Sequence, residues 1–357
     1  VIYGAKGRIV VCNPWFTGET PDAARLEIHV DGEKEPRHET AAGYAGLYTI
    51  EVDTVARHLP ERQPRPPAMT WDDTLGNMKA LDEWRRSAGV VFACEKPEGL
   101  RLPISGRPLR FKPGAMPYGN IEGIGKPVSR LILGTMRHVV GDLAKTFAML
   151  DRYVECGGNA LDLAWVYGTE TQVGEWLNQR GIREDIVLVG KGAATAQCTP
   201  EMASEQLLQS LERLQTDYLD LFLLHRDNPS IPASEFVDCL NEHVAKGHIR
   251  AFGGSNWSWL RLEEANAYAK RTGKIGFAAS SPNFSLAVWN EPMRSDCLQA
   301  VDSSSREWYA RTQMPLLAWS SQANGFFSGR FKPEDRDNPA LRDIVRVWFN
   351  DDNFRRL

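Results

Sequence analysis

Four polar side chains follow three strand-like runs in the second half of the sequence. Asp162 and Tyr167 stand five positions apart on the first run, Lys191 ends the next, and His225 ends the third. A carboxylate inside an apolar strand is costly unless it is paired, so Asp162 requires a cation, for which Lys191 is the candidate. An ammonium near a phenol stabilises the phenolate. These residue types therefore predict proton transfer at one face of a sheet.

The elements around these residues alternate between strand and helix patterns. The strand-like runs are 128–134, 161–166, 186–190, 219–224, 249–253, 275–279 and 315–319, with helical patterns between them. Repeated βα units imply right-handed crossovers and a parallel sheet, either doubly wound or closed into a barrel. After the seventh run we expect one helical stretch, 338–357, and no eighth strand.

This arrangement resembles the aldo-keto reductase family over residues 116–357. Asp162, Tyr167, Lys191 and His225 fall where that family keeps its catalytic Asp, Tyr, Lys and His. Further matches are Leu133-Gly-Thr-Met136, Gly254-Ser-Asn-Trp257 and Gly325-Phe-Phe-Ser-Gly329, after the first, fifth and seventh strands. The resemblance implies an α/β fold, the (β/α)8 TIM barrel, here without its last strand and helix. We expect a gap between the first and seventh strands, with an exposed edge.

The resemblance implies reduction of an aldehyde or ketone, with hydride from NADPH and a proton from Tyr167. Lys191 would bring the phenol pKa, ordinarily about 10, closer to neutrality, while Asp162 keeps Lys191 charged and oriented. His225 would donate a hydrogen bond to the carbonyl oxygen. NADP is the expected cofactor and NAD the second candidate. The substrate is a small-molecule carbonyl, with a sugar-derived carbonyl as one candidate.

The resemblance also implies cofactor-binding positions, which are Thr135, Met136, Asp162, Ser255, Asn256, Ser281, Phe284, Ser320, Gln322 and Gly325. Ser255 and Asn256 would bind the nicotinamide carboxamide. Ser281 stands where the family usually has Gln and is too short to repeat its reach, so water would mediate the contact. Phe284 keeps the stacking surface of the family's aromatic residue. Residues 320–325 would wrap the pyrophosphate with backbone amides.

The first hundred residues predict a different, α+β segment. Strand patterns at 8–11, 24–30 and 37–40 precede helical patterns at 48–58 and 71–87, with Thr70 as an N-cap. The segment resembles the end of the C-terminal domain of Gfo/Idh/MocA oxidoreductases, in Gly4-x-x-Gly7-Arg-Ile and in Met69 to Met78. It holds no GxGxxG loop, so we expect a structural or oligomerising role.

Domain boundaries follow from composition. Proline and glycine recur through 98–120, which predicts a linker at 101–115 between residues 1–100 and the barrel at 116–357. Because the chain begins with Val in strand-like sequence and lacks the last barrel strand, we expect a fragment of a longer polypeptide, truncated at both ends, in which two oxidoreductase-like parts are fused.

Bulk properties exclude several classes of partner. A net charge of −4 gives no reason to expect nucleic acid. No apolar run approaches the roughly 18 residues that a membrane helix needs, so we expect a cytoplasmic protein without membrane association. Six cysteines without a Cys-x-x-Cys pair disfavour zinc and a disulfide framework, and the histidines do not cluster, so no metal is expected.

Two other function classes stay open from the residues. A barrel of this family that binds nucleotide without useful turnover, a regulatory module, is compatible with the missing strand and with Ser281. A hydrolase with paired carboxylates, Asp162 and Glu175, is disfavoured because Glu175 falls in a helical pattern. Four tryptophans near the expected barrel mouth could stack on sugar rings or simply pack, namely Trp165, Trp257, Trp289 and Trp319.

Overall fold

The structure is a computed structural model that describes residues 1–12, 25–40, 48–92, 95, 96, 103, 105–136 and 142–357. Within the predicted linker, residues 101, 102 and 104 lie outside this part of the chain. The chain divides into two compact units, Val1–Val91 and Phe92–Leu357, which are described separately. No helix among the described residues is both long enough and apolar enough to cross a membrane.

The first unit contains an antiparallel sheet and two helices. Strands β1 (Ile2–Gly4), β2 (Gly7–Val11), β3 (Arg25–Val30) and β4 (Arg37–Thr40) pair in chain order, and α1 (Thr49–His58) and α2 (Trp71–Ser87) follow. The Thr70 hydroxyl accepts from the Asp73 amide while the Asp73 carboxylate accepts from the Thr70 amide, so the predicted cap is confirmed as a capping box. None of this unit's described residues is buried.

The second unit is built on a six-stranded parallel sheet whose strands lie in chain order. These strands are β7 (Leu133–Gly134), β8 (Ala160–Asp162), β9 (Val187–Gly192), β10 (Leu219–Leu224), β11 (Ile249–Ser255) and β12 (Ala279–Ser281). The helices between and after them are α3 (Leu143–Glu155), α4 (Glu170–Arg180), α5 (Pro200–Leu214), α6 (Ala233–Ala245), α7 (Trp259–Thr272) and α8 (Ser303–Thr312).

Both faces of this sheet are covered, and the alternation of side chains along a strand assigns each residue to a face. On one face, Leu221 and Leu223 of β10 pack with Ile121 and Ile124, which lie between the paired strands β5 (Tyr118–Gly119) and β6 (Val128–Ser129). On the other face, the intervening residues Phe222 and Leu224 pack into the larger cluster that the helices share.

The seven-strand prediction needs corrections at four runs. The strand predicted at 161–166 ends at Asp162, and Trp165–Tyr167 is a 3-10 turn. The strand predicted at 275–279 begins only at Ala279 and continues to Ser281. The run predicted at 128–134 is two strands, because Val128–Ser129 pairs antiparallel with Tyr118–Gly119 and only Leu133–Gly134 enters the parallel sheet. The run at 315–319 contributes isolated parallel bridges, Ser280 with Leu316 and Asn283 with Trp319, rather than a continuous strand. The parallel α/β architecture is confirmed, and closure into a barrel stays a prediction.

The C-terminal residues form their own apolar cluster. Ala287, Phe326, Trp348 and Phe349 belong to its buried core. The predicted single helix at 338–357 is instead two short helices, α9 (Arg342–Trp348) and α10 (Asp351–Arg356). The interruption has a local cause, since Asn350 takes an extended conformation and its side-chain oxygen caps α10 by accepting from the Asn353 amide at 2.8 Å.

Candidate active site

An ion pair joins the ends of two neighbouring strands. Asp162 is the last residue of β8, and Lys191 lies near the end of β9. The Lys191 ammonium donates to the Asp162 carboxylate, and only 4% of the lysine side chain is exposed against 27% of the aspartate. The predicted pairing of the two residues is therefore confirmed, with the cation as the more deeply buried partner.

Tyr167 lies beside this ion pair. It ends a short 3-10 turn, Trp165–Tyr167, and Gly168 then takes the left-handed conformation (φ 67°) that starts α4. The Lys191 Nζ atom is 5.3 Å from the centroid of the Tyr167 ring, and the His225 ring meets that ring edge to face at 5.9 Å. The structure thus brings Asp162, Tyr167, Lys191 and His225 together.

The acidity of Tyr167 departs from the prediction. Burial raises the pKa of the Tyr167 phenol above its ordinary value, and Lys191, the largest opposing influence, lowers the pKa without overcoming burial. Lys191 therefore acts with the predicted sign, but the phenol is not brought closer to neutrality. The reason is that a half-buried phenol loses the water that would solvate its anion. Tyr167 is protonated at neutral pH.

His225 directly follows β10, and its backbone amide donates to the Gly192 carbonyl at 2.7 Å. Burial, together with the positive charges of Lys191, Arg226 and Arg294, lowers the pKa of its imidazole to about 2. The Nδ1 atom is buried and has no hydrogen-bond partner in the part of the chain that the structure describes. The side chain is therefore a neutral imidazole throughout the physiological pH range, able to donate a hydrogen bond from one ring nitrogen.

This depressed pKa predicts an acid-sensitive contribution to stability. Below pH 6.5 the unfolded chain protonates residue 225 while the folded chain does not until about pH 2, so stability present above pH 6.5 is lost as the pH falls. The loss should approach about 1.4 kcal/mol per pH unit. His225→Gln should remove it, which urea unfolding at pH 7.5 and 5.5 would measure. His38→Gln, on an exposed strand of the first unit, is the control. Equal pH dependence in parent and His225→Gln would contradict the assignment.

The candidate carboxamide-binding residues lie at the ends of β11 and β12 and already bond within the protein. The Ser255 hydroxyl donates to the Ser281 carbonyl at 2.9 Å, and the Ser281 hydroxyl donates to the Leu317 carbonyl at 2.8 Å. The Asn256 side chain donates to the His225 carbonyl at 3.2 Å and accepts from the Leu298 amide at 3.1 Å. Both hydroxyl oxygens keep acceptor capacity for a ligand donor, whereas Asn256 would have to exchange a partner.

The remaining candidate positions differ in exposure. Thr135 is buried, and its hydroxyl donates to the Asp162 carbonyl at 3.0 Å, so it stabilises the end of β8. Met136 and Phe284 are 48% and 37% exposed, which leaves both side chains open to a ligand. The next residues after Met136, 137–141, lie outside the described part of the chain.

The loop after residue 319 has an unusual backbone. Ser320, Ala323, Asn324 and Gly325 all take positive φ values between 49° and 84°. Turns of this kind direct successive amide N–H groups to one side and form anion-binding concavities. Ser320 and Gln322 are exposed there. The Ala323 and Gly325 amides already donate within the loop, to the Ser320 and Gln322 carbonyls at 2.9 Å. The pyrophosphate-binding role of residues 320–325 therefore stays a prediction.

Sequence reasoning missed a buried arginine at the site. The Arg226 side chain is 7% exposed, and its Nε atom lies 3.0 Å from the Asp296 carboxylate. Its charge lowers the pKa of both Tyr167 and His225. The adjacency of Arg226 to His225 was the only available signal, because Asp296 is far away along the chain.

Two of the four mouth tryptophans have structural partners. The Trp165 indole donates to Gln209 at 2.7 Å, and the fully buried Trp257 donates to the Arg226 carbonyl at 3.1 Å. Trp289 and Trp319 lie 5.9 Å apart, and their indole nitrogens are buried with no hydrogen-bond partner among the described residues. Of these four tryptophans, Trp289 and Trp319 are the two whose indole N–H groups have no partner in the described part of the chain.

Metal and disulfide chemistry find no support in the described part of the chain. No three His, Cys, Asp or Glu side chains cluster there in a way that could hold a metal ion. The five described cysteines are free, and Cys94 lies outside the described residues.

A parallel α/β sheet that gathers an acid, a phenol, an ammonium and an imidazole at the carboxyl ends of its strands defines a class of site typical of α/β enzymes. The sequence model described as "Aldo/keto reductase family" matches residues 130–347, and the chain belongs to this family.

Curated relatives agree with this membership. Norsolorinic acid reductase A of Aspergillus parasiticus is 35% identical over 228 residues, 57% of this chain and 56% of that protein. The protein named "Aryl-alcohol dehydrogenase [NADP(+)]" of Phanerodontia chrysosporium is 30% identical over 200 residues, 48% of this chain and 51% of that protein. A rice protein named "Probable voltage-gated potassium channel subunit beta" is 27% identical over 266 residues, 68% and 76% of the two chains. The chain spans about half the length of the first curated relatives it matches.

Proposed function

We propose that this chain reduces an aldehyde or ketone to an alcohol, with NADPH as the hydride source and Tyr167 as the proton donor. The observation that carries the proposal is that the Tyr167 ring lies close to both the Lys191–Asp162 ion pair and the His225 ring. The family's relatives include proteins named as reductases and dehydrogenases, which supports carbonyl chemistry in general.

Each of the four side chains has a separate role in this proposal. Tyr167, protonated at neutral pH, donates its phenolic proton to the carbonyl oxygen as negative charge develops there. Lys191 stabilises the phenolate that forms, and Asp162 orients Lys191 and compensates its burial. The neutral imidazole of His225 donates a hydrogen bond to the same oxygen and positions the substrate.

A nicotinamide dinucleotide would supply the hydride, and two features of the chain fit it. The exposed ring of Phe284 offers a surface for stacking, and the left-handed loop 320–325 would bind a pyrophosphate through backbone amides other than those of Ala323 and Gly325, which donate within the loop. Ser255 and Ser281 would accept from the carboxamide. NADP is favoured over NAD because one relative carries NADP(+) in its name.

Turnover measurements test the proposal. The chain should oxidise NADPH when a panel of aryl, aliphatic and sugar-derived aldehydes is supplied, and NADH in the same assay tests the cofactor preference. A faster rate with sugar-derived aldehydes than with aryl or aliphatic ones would support a sugar-derived substrate. Absence of turnover with every carbonyl, in a chain that binds NADPH, would contradict the reductase.

That last outcome would favour the second candidate, a nucleotide-binding regulatory barrel without useful turnover. The extended similarity to the rice protein named as a channel subunit beta is the observation in its favour. The hydrolase alternative receives no support, because Glu175 lies inside α4 and accepts a hydrogen bond from Gln179.

Several finer predictions accompany the proposal. Three of them concern the architecture and stay predictions, since the family match begins at residue 130. They are the full (β/α)8 barrel, the domain division into 1–100, 101–115 and 116–357, and the Gfo/Idh/MocA resemblance of the first hundred residues. The same holds for a cytoplasmic location and for oligomerisation through residues 1–100.

A further inference from the structure

A row of polar side chains on α5 bonds to the two chain segments that carry Tyr167 and Lys191. Gln206, Gln209 and Arg213 are spaced at i, i+3 and i+7, which places them on one face of the helix. Polar residues on a helix that packs against a sheet usually face solvent. Here each of the three instead has a specific partner near the candidate active site.

The first partner is the end of strand β9. The Gln206 side-chain oxygen accepts from the Ala193 amide at 2.8 Å, two residues beyond Lys191. Ala193 is held in the left-handed conformation (φ 59°), which a residue with a side chain adopts at some cost. The bond from Gln206 therefore fixes the chain direction where Lys191 leaves the sheet.

The second partner is the turn that ends at Tyr167. The Trp165 indole donates to the Gln209 side-chain oxygen at 2.7 Å, and Arg213 Nη1 donates to the Trp165 carbonyl at 3.2 Å. The Arg213 guanidinium also lies 5.1 Å from the centroid of the Trp165 ring. Three contacts thus attach Trp165, two residues before Tyr167, to α5.

The third partner is the chain just after Tyr167. Arg213 Nη1 also donates to the Glu170 carboxylate at 3.2 Å, and Glu170 is completely buried at the start of α4. Arg213 is the charged partner that compensates this buried acid. One guanidinium therefore holds the chain on both sides of Tyr167, at residues 165 and 170.

We propose that Arg213, assisted by Gln206 and Gln209, is a positioning residue that sets the distance between the Tyr167 phenol and the Lys191 ammonium. None of the three touches the site itself, so they act through Trp165, Glu170 and the end of β9. The inference rests on the proposed reductase function. It predicts that α5 variants alter the chemical step and leave cofactor binding intact.

The test is Arg213→Gln, which removes the guanidinium from both sides of Tyr167. We expect kcat to fall about 100-fold, because misplacement of a reacting group by about 1 Å has an effect of that size, while the KM for NADPH changes by less than about twofold. Arg213→Lys, which can reach one acceptor, should recover part of the loss. In a Tyr167→Phe background, Arg213→Gln should have no further effect on the residual rate.

A matched control exists where α7 meets α8. Arg311 Nη2 lies 2.9 Å from Glu263, which also accepts from the Trp308 indole at 2.7 Å, so the same three residue types meet there on helices that carry none of the four site residues. Arg311→Gln should leave kcat unchanged. If Arg213→Gln does not fold, Trp165→Phe is the second variant. It keeps an aromatic side chain but loses the indole N–H that donates to Gln209, and it should still lower kcat about tenfold.

The outcomes separate this inference from the proposed function. A parent chain that is inactive, or a Tyr167→Phe variant as active as the parent, would refute the reductase itself. An active parent, an inactive Tyr167→Phe and a folded Arg213→Gln with the parent's kcat would refute only the positioning role. An equal additional loss in the Tyr167→Phe background would also refute it, since the effect would then not pass through Tyr167.

Discussion

Replacing Tyr167 by phenylalanine should lower kcat for carbonyl reduction by about 100- to 10,000-fold, the range expected when a general acid is removed. Phenylalanine keeps the ring that contacts His225 edge to face, and loses only the hydroxyl. Cofactor and substrate should therefore still bind, and the loss should fall on kcat rather than on KM. NADPH consumption under saturating substrate measures kcat, and a fluorescence titration measures NADPH binding separately.

The control for this substitution is Tyr268→Phe. The Tyr268 hydroxyl donates to Asp238 at 2.9 Å on the outer side of the unit, so the change removes one phenolic hydrogen bond without touching the site. Because the pKa of Tyr167 is raised, the parent rate of reduction should stay level through neutral pH and decline only in alkaline solution, beyond the ordinary pKa of tyrosine. A Tyr167→Phe variant that reduces carbonyls at the parent rate would remove the basis of the proposed mechanism.

Replacing Lys191 by methionine should have the second largest effect, a fall in kcat of about 100-fold or more. Lys191 is the largest influence that lowers the pKa of Tyr167, and without it the burial of the phenol is unopposed. The Asp162 charge raises the same pKa, so its carboxylate would then act against proton transfer. We therefore expect Asp162→Asn combined with Lys191→Met to be more active than Lys191→Met alone.

The reverse reaction provides the sharper measurement for Lys191. In alcohol oxidation the phenolate is the base, so the pH at which the rate rises should move upward in Lys191→Met and partly return in the double variant. Lys126→Met is the matched control, since Lys126 pairs with the buried Asp220 at 2.9 Å where β10 begins, at the opposite ends of the strands. Identical kcat values for Lys191→Met and Lys126→Met would contradict the assigned role.

Much of this site could be predicted from the sequence because its signals are local. Each strand that leads to Asp162, Lys191 or His225 is a short apolar run ending in a polar residue. Hydrophobic periodicity and the turn residues on either side identify such runs in a sequence. The cap at Thr70 was likewise predictable from a few adjacent residues. The pairing of Asp162 with Lys191 followed from the cost of an unpaired buried charge.

What the sequence did not reveal depends on contacts between distant residues. The Arg213–Glu170 pair spans 43 positions, and no pattern along the chain links the two residues. The first predicted strand is split because Val128–Ser129 pairs with Tyr118–Gly119 outside the parallel sheet. The direction of the Tyr167 pKa shift depends on how much protein surrounds the phenol, a quantity that only the folded chain defines.

The uncharged imidazole of residue 225 determines how the protein would lose stability and activity in acid. Neither this ring nor the phenol changes protonation between mild acidity and neutrality, so neither of these two groups limits the rate there. The unfolded chain, by contrast, gains a proton at this position and becomes progressively favoured. Loss of turnover on acidification should then follow the unfolding curve, and a stabilising substitution far from the four site residues would widen the acid tolerance of the protein.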